Sequence, residues 1–164
     1  MKTHSSAHHE HEHKQNHHYR KLLVMIVLSF AAMYLLMYAM VDKFSNVIGN
    51  VNQFYMAGLM AMAMLVIELA VMWSMYAKRK LNLVLLVLGI IGLTAFYVCI
   101  REQAAVGDKQ FLKSMIPHHA AAILMVEETP LTDPEIRELA SKIITSQQAE
   151  IEQMKAKLKE LESK

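Results

Sequence analysis

The chain has 164 residues, room for about one domain, of which 54% are hydrophobic and 20% charged, with a net charge of +2. Residues 1–21 carry four basic and two acidic side chains, residues 22–100 four and two, and residues 101–164 nine and eleven, so no segment is basic enough to hold nucleic acid. The single cysteine, Cys99, rules out a framework of disulfides within the chain.

The first 21 residues include HSSAHHEHEHKQNHH, a low-complexity tail read as disordered and cytoplasmic. Its imidazoles, His4, His8, His9, His11, His13, His17 and His18, can chelate a divalent metal at neutral pH, and a solvated tail without a selected role is the plainer reading.

Three apolar blocks follow, at 22–41, 54–77 and 81–100. The first and third carry no charge and the second only Glu68, and each is about as long as the roughly 20 residues that a helix needs to cross a bilayer. The first block is too long for a signal peptide and no small-residue cleavage pattern follows it. Residues 22–100 are therefore expected to form three transmembrane helices. Lys2, Lys14, Arg20 and Lys21 precede the first span and Lys78, Arg79 and Lys80 separate the second from the third, whereas the 41–53 loop holds only Lys43. The positive-inside rule then puts the N-terminus in the cytoplasm and everything after Ile100 outside it. The expected setting is a bacterial inner (cytoplasmic) membrane with the C-terminal part periplasmic or extracellular.

Fourteen methionines are far more than a chain of this length usually carries. Met60, Met64, Glu68, Met72 and Met75 wind along one side of the second span, and Met25, Met33, Met37 and Met40 share one side of the first. Such stripes suit a thioether-lined route for Cu(I), and they equally suit adaptable helix packing. Glu68, read as lying near mid-span, is costly there unless it is functional or paired, for example with Ser29 or Tyr34.

Residues 101–164 read as a helical hairpin. Phe111, Leu112, Met115, Ile116, Ala122, Ile123 and Val126 recur at helical spacing between about Asp108 and Glu128. TPLTDP breaks the chain, Asp133 or Thr132 can cap the next helix, and Pro134 suits its first turn. Ile136, Leu139, Ala140, Ile143, Ile144, Ile151, Met154, Leu158 and Leu161 then form one stripe. Two helices cannot bury both faces alone, so a four-helix bundle completed by a second copy is expected. The fold class is all-α.

The stretch KSMIPHHAAAILM sets Met115, His118, His119, Ala122 and Met125 within about a third of the helix circumference, and Pro117 is expected to kink the helix and re-aim the histidines. Gln147, Glu150 and Met154 share a side of the returning helix. Folding the hairpin symmetrically about its link brings Met115 opposite Ser146 and Gln147, Phe111 opposite Glu150, and Asp108 near Met154. Imidazole with thioether favours copper, above all Cu(I), over oxygen-seeking magnesium or calcium. Zinc held by the histidines and Glu150, or Cu(II), is the alternative, and hydrogen-bonded histidines with methionine as core filler is the plainest one.

DKQFLKSMIPHHAAAILMVEE, followed by DPEIRELASKIITSQQAEIEQM, resembles the domain of unknown function 305 family, with its Met-x-x-His-His core and closing Gln-x-x-Glu-Ile-x-x-Met. The resemblance covers about residues 107 to 158. It implies a ferritin-like helical bundle tied to copper binding and tolerance outside the cytoplasm, with Asp108, Met115, His118, His119, Met125, Glu150 and Met154 at the motif positions. A single hairpin on a three-helix anchor departs from the secreted or longer members.

The reading that follows is a non-enzymatic, membrane-anchored copper-binding protein acting in tolerance or in delivery to a metal-exchange partner, and forming a dimer or higher homo-oligomer. A small metal transporter or transporter subunit using Glu68 and the methionine faces is the second reading, and a helical interaction module without metal the third. No nucleophile stands with a base and an acid, and the repeated Glu-x-x-His pattern of di-iron bundles is missing.

Overall fold

The computed structural model describes the backbone of residues 3–163 and the side chains of residues 17–163. Every regular element among them is helical: α1 (Thr3–Leu36), α2 (Val51–Val71), α3 (Arg79–Arg101), α4 (Asp108–Glu128) and α5 (Pro134–Glu162), with short 3₁₀ turns at Met37–Met40 and Phe44–Asn46. The chain divides into two compact units, one of residues up to Tyr34 with Tyr55–Glu102, the other of Leu35–Phe54 with Gln103–Lys164.

The first unit carries the apolar helices. Three segments are long and apolar enough to cross a membrane, His17–Met40, Val51–Val71 and Arg79–Arg101. Leu23, Val27, Leu28, Ile67, Val84, Val87, Leu88 and Ile91 all point away from the protein interior. A continuous apolar surface of this kind is untenable in water and is what a lipid-facing helix presents. The interior is built on Leu22, Ile26, Ala61, Leu69 and Tyr76, against which Met25, Met62, Met64 and Met72 pack. Thioethers from both sides of the expected stripe therefore serve as core filler here. Small residues let the helices approach: Ala57 and Ala61 are fully buried, and a Cβ on Gly58 would come within 2.5 Å of the Phe96 ring.

Three expectations change in this unit. Backbone helix reaches back to Thr3, so the histidine-rich tail continues α1 instead of being disordered; with no glycine or proline between Thr3 and Leu36, nothing in the chain stops the helix. The side chains of His4, His8, His9, His11 and His13 lie outside the described residues, while His17 and His18 fall on α1. The second span is Val51–Val71 in place of 54–77, because the chain turns at Met72–Met75 and reverses through Tyr76, whose carbonyl accepts from the buried Asn82 side chain at 2.7 Å. Met72 and Met75 are thus off the helix, and Glu68 lies in its last turn, not at mid-span, accepting from the Tyr76 hydroxyl at 3.1 Å.

The second unit is the hairpin with a third layer. Ile116, Ala120, Ile123, Ile151 and Leu158 form its core between α4 and α5, and Val41 and Ile48 from the segment joining the first two apolar helices pack on the same cluster. That segment also holds α4 through polar contacts at the start of α2. The Asn50 side chain accepts from the Gln53 amide at 2.9 Å, capping α2, and also from the Ser114 hydroxyl at 3.3 Å. The Gln110 side chain accepts from the Val51 amide at 3.1 Å. Part of the hairpin surface assigned to a second copy is therefore covered by residues of the same chain.

Candidate metal site in the hairpin

Two sequence choices build the hairpin. Asp133 caps α5 as expected, its carboxylate accepting from the amides of Glu135 at 2.8 Å and Ile136 at 3.1 Å, with Pro134 in the first turn. The helix α4 runs unbroken through Pro117, whose missing N–H leaves the Lys113 carbonyl without its intrahelical donor. Burial of Ile116, Pro117, Ala120 and Ile123 fixes which face of α4 meets α5, and His119 lies on that face.

His119 is 8% exposed. Its Nδ1 lies 2.9 Å from the Met115 carbonyl oxygen and its Nε2 2.8 Å from a carboxylate oxygen of Glu150. A carbonyl can only accept, so Nδ1 carries a proton and donates it, and Nε2 is the nitrogen that faces the second helix. A backbone carbonyl that ties down one ring nitrogen in this way orients the other nitrogen for a ligand. Met115 stands one turn before His119 and Met154 one turn after Glu150. In an antiparallel pair the two methionines fall at the same level, about 6 Å along the axis from the His119–Glu150 contact. Met154 packs against the buried hairpin core.

The remaining expected residues stand elsewhere. His118 is exposed and its ring centroid is 6.1 Å from that of His119, since neighbouring helical residues diverge by about 100°. Met125 is 57% exposed and lines an apolar cavity of about 230 Å³ with Val126, Leu131, Ile136 and Ile143. Asp108 is exposed at the start of α4, about 16 Å from His119 along the axis at 1.5 Å per residue. The register also departs from expectation: Glu150 meets His119 and not Phe111, about two helical turns away from a hairpin folded symmetrically about its link. The Lys113–Glu162 ion pair, at 2.8 Å, holds this register at the far end. Among the described residues no three of histidine, cysteine, aspartate and glutamate come close enough to hold a metal ion, so the zinc set of both histidines with Glu150 is not assembled. What the fold does bring together is one imidazole and one carboxylate, those of His119 and Glu150, with Met115 and Met154 each one turn along its own helix.

The Val41–Asn50 segment, which no helical periodicity marks, packs Val41 and Ile48 on the hairpin core. Its signal was the run of Asn46, Asn50, Asn52 and Gln53 between two apolar blocks, a polar cluster with backbone and side chains to satisfy.

Together the two units define an all-helical protein with three membrane-type helices and a helical hairpin. The chain belongs to the family described as Domain of unknown function (DUF305), whose profile matches residues 100–158. An uncharacterized protein of Acanthamoeba polyphaga mimivirus is 39% identical over 147 residues, 85% of this chain and 91% of the viral protein. A match of that length cannot fit within the hairpin, so the similarity extends into the apolar helices. No solved structure matches the chain.

Proposed function

We propose that the protein is a membrane-anchored copper-binding protein that holds Cu(I) in the hairpin through His119 Nε2 with Met115, Met154 and Glu150. The observation that carries this reading is the paired His119: its Nδ1 is tied to the Met115 carbonyl at 2.9 Å, which presents Nε2 toward Glu150, with Met115 and Met154 each one turn along its helix. Copper supplies a soft cation that thioether and imidazole bind in preference to water and carboxylate-seeking ions. The protein residues orient the imidazole, exclude water through Ile116, Ala120 and Ile151, and hold Met154 against the apolar core. His118, exposed beside the pair, is placed to receive or pass on metal from a partner. The lysine and arginine pattern supports an extracytoplasmic position for the hairpin, where it would serve copper tolerance or delivery.

The test is Cu(I) binding to the full-length protein, measured by competition with a chromophoric chelator, because residues 35–54 form part of the hairpin unit. Wild type is expected to bind one copper per hairpin, His119→Ala to lose at least about tenfold in affinity, and His118→Ala to lose less. Unchanged affinity in His119→Ala, with the helical content retained, sinks this reading.

A further inference from the structure

The outward side of α1 carries a groove of about 450 Å³ whose described lining runs from His17, Arg20 and Lys21 to Val24, Met25 and Leu28. Spacing of three and four residues puts these positions on one side of the helix, opposite the buried Leu22 and Ile26. Arg20, Lys21, Val24 and Leu28 are exposed. From Arg20 to Leu28 the axis advances about 12 Å, most of the roughly 15 Å depth of one leaflet. The groove is thus cationic at its rim and apolar along the rest, within a segment long and apolar enough to cross a membrane.

Nothing described in this unit neutralises the rim. Of its two described carboxylates, Glu68 accepts from the Tyr76 hydroxyl at 3.1 Å and Glu102 follows the far end of α3. Tertiary contacts instead add positive charge at the same level. The Tyr19 hydroxyl accepts from the Lys78 amide at 3.2 Å and donates to the Asn82 side chain at 2.6 Å, which sets the exposed Lys78, Arg79 and Lys80 at the level of Arg20 and Lys21. We infer that the α1 groove binds one anionic phospholipid, of the phosphatidylglycerol kind. Its phosphate oxygens accept from Arg20 and Lys21 beside His17, and an acyl chain lies along Val24, Met25 and Leu28. A zwitterionic headgroup brings its own ammonium to a rim that offers it no carboxylate.

The experiment is native mass spectrometry of the full-length protein in detergent with equal amounts of phosphatidylglycerol and phosphatidylcholine of identical acyl chains. The first lipid bound is expected to favour phosphatidylglycerol by about tenfold. Arg20→Gln/Lys21→Gln is expected to cut that preference to about twofold or less. Lys78→Gln/Lys80→Gln removes the same charge at the same level but outside the groove, and is expected to keep a preference of about fivefold or more. All four side chains are exposed, so the thermal melts of both variants should match wild type. Equal binding of the two lipids by wild type, or a preference that survives Arg20→Gln/Lys21→Gln, overturns the proposal. An equal loss in the two variants also overturns it, because the preference then belongs to the positive potential of the whole edge and not to the groove. Free glycerol phosphate distinguishes the source: weak competition supports a membrane lipid, whereas tight binding of the free compound without retention of the lipid overturns the lipid assignment.

Discussion

Nε2 of His119 and a carboxylate oxygen of Glu150 are 2.8 Å apart across the α4–α5 seam, with the opposite ring nitrogen bonded to the Met115 carbonyl. With Nδ1 already protonated, a hydrogen bond between Nε2 and the carboxylate requires one more proton on one of the two partners. A metal ion taking Nε2 must displace that proton. Copper affinity of the full-length protein is therefore expected to fall as pH is lowered from neutral, by up to about tenfold per pH unit for one proton exchanged. Glu150→Gln removes the acid from the pair, and its affinity is expected to vary less steeply with pH than wild type, as read by chelator competition at stepped pH. Identical slopes for the two proteins would exclude a shared proton at this pair.

Ile116 is fully buried where α4 meets α5, in the cluster that also receives Val41 and Ile48. Ile116→Ala should destabilise the hairpin unit by about 2–5 kcal/mol through lost burial and the cavity left behind. Hydrogen exchange is the suitable readout, and protection should fall together in α4, α5 and residues 41–50, because one core serves all three. Loss confined to α4 and α5 would show that the 41–50 segment is held independently.

Glu162 is bonded to Lys113 at 2.8 Å, and this bond together with the lysine charge holds its carboxyl below the usual carboxylate range. A depressed folded-state value contributes stability above the ordinary carboxylate pKa of 4.5, and that contribution is lost as pH falls through the lower folded value. The pair is solvent-exposed, so the effect is small. Glu162→Gln should melt slightly below wild type at neutral pH, with the difference closing below about pH 4 in thermal melts. A gap that persists or widens in acid would assign the stabilisation to something other than this pair.

Length, charge and hydropathy were enough to read three apolar helices, the hairpin and the Asp133 cap from the sequence, because each depends on local chemistry: block length, charge gaps, periodicity and one capping side chain. Family membership was equally legible, since it rests on the Met-x-x-His-His and Gln-x-x-Glu-Ile-x-x-Met spacings. Tertiary structure alone decided the rest. Helical periodicity puts His118 and His119 near one face, but only the partner helix chooses which of them is buried, and packing of Ile116, Ala120 and Ile123 chose His119. The pairing of His119 with Glu150 in place of a symmetric register depends on how α5 slides along α4, a displacement on which apolar stripes repeating every turn have little say. The apolar run through Trp73 and Met75 concealed a turn because hydrophobicity reports burial or lipid contact, not backbone direction. The third layer from residues 41–50 was invisible for the same reason: a long-range contact between a short loop and a hairpin more than 60 residues later leaves no periodic trace in the chain.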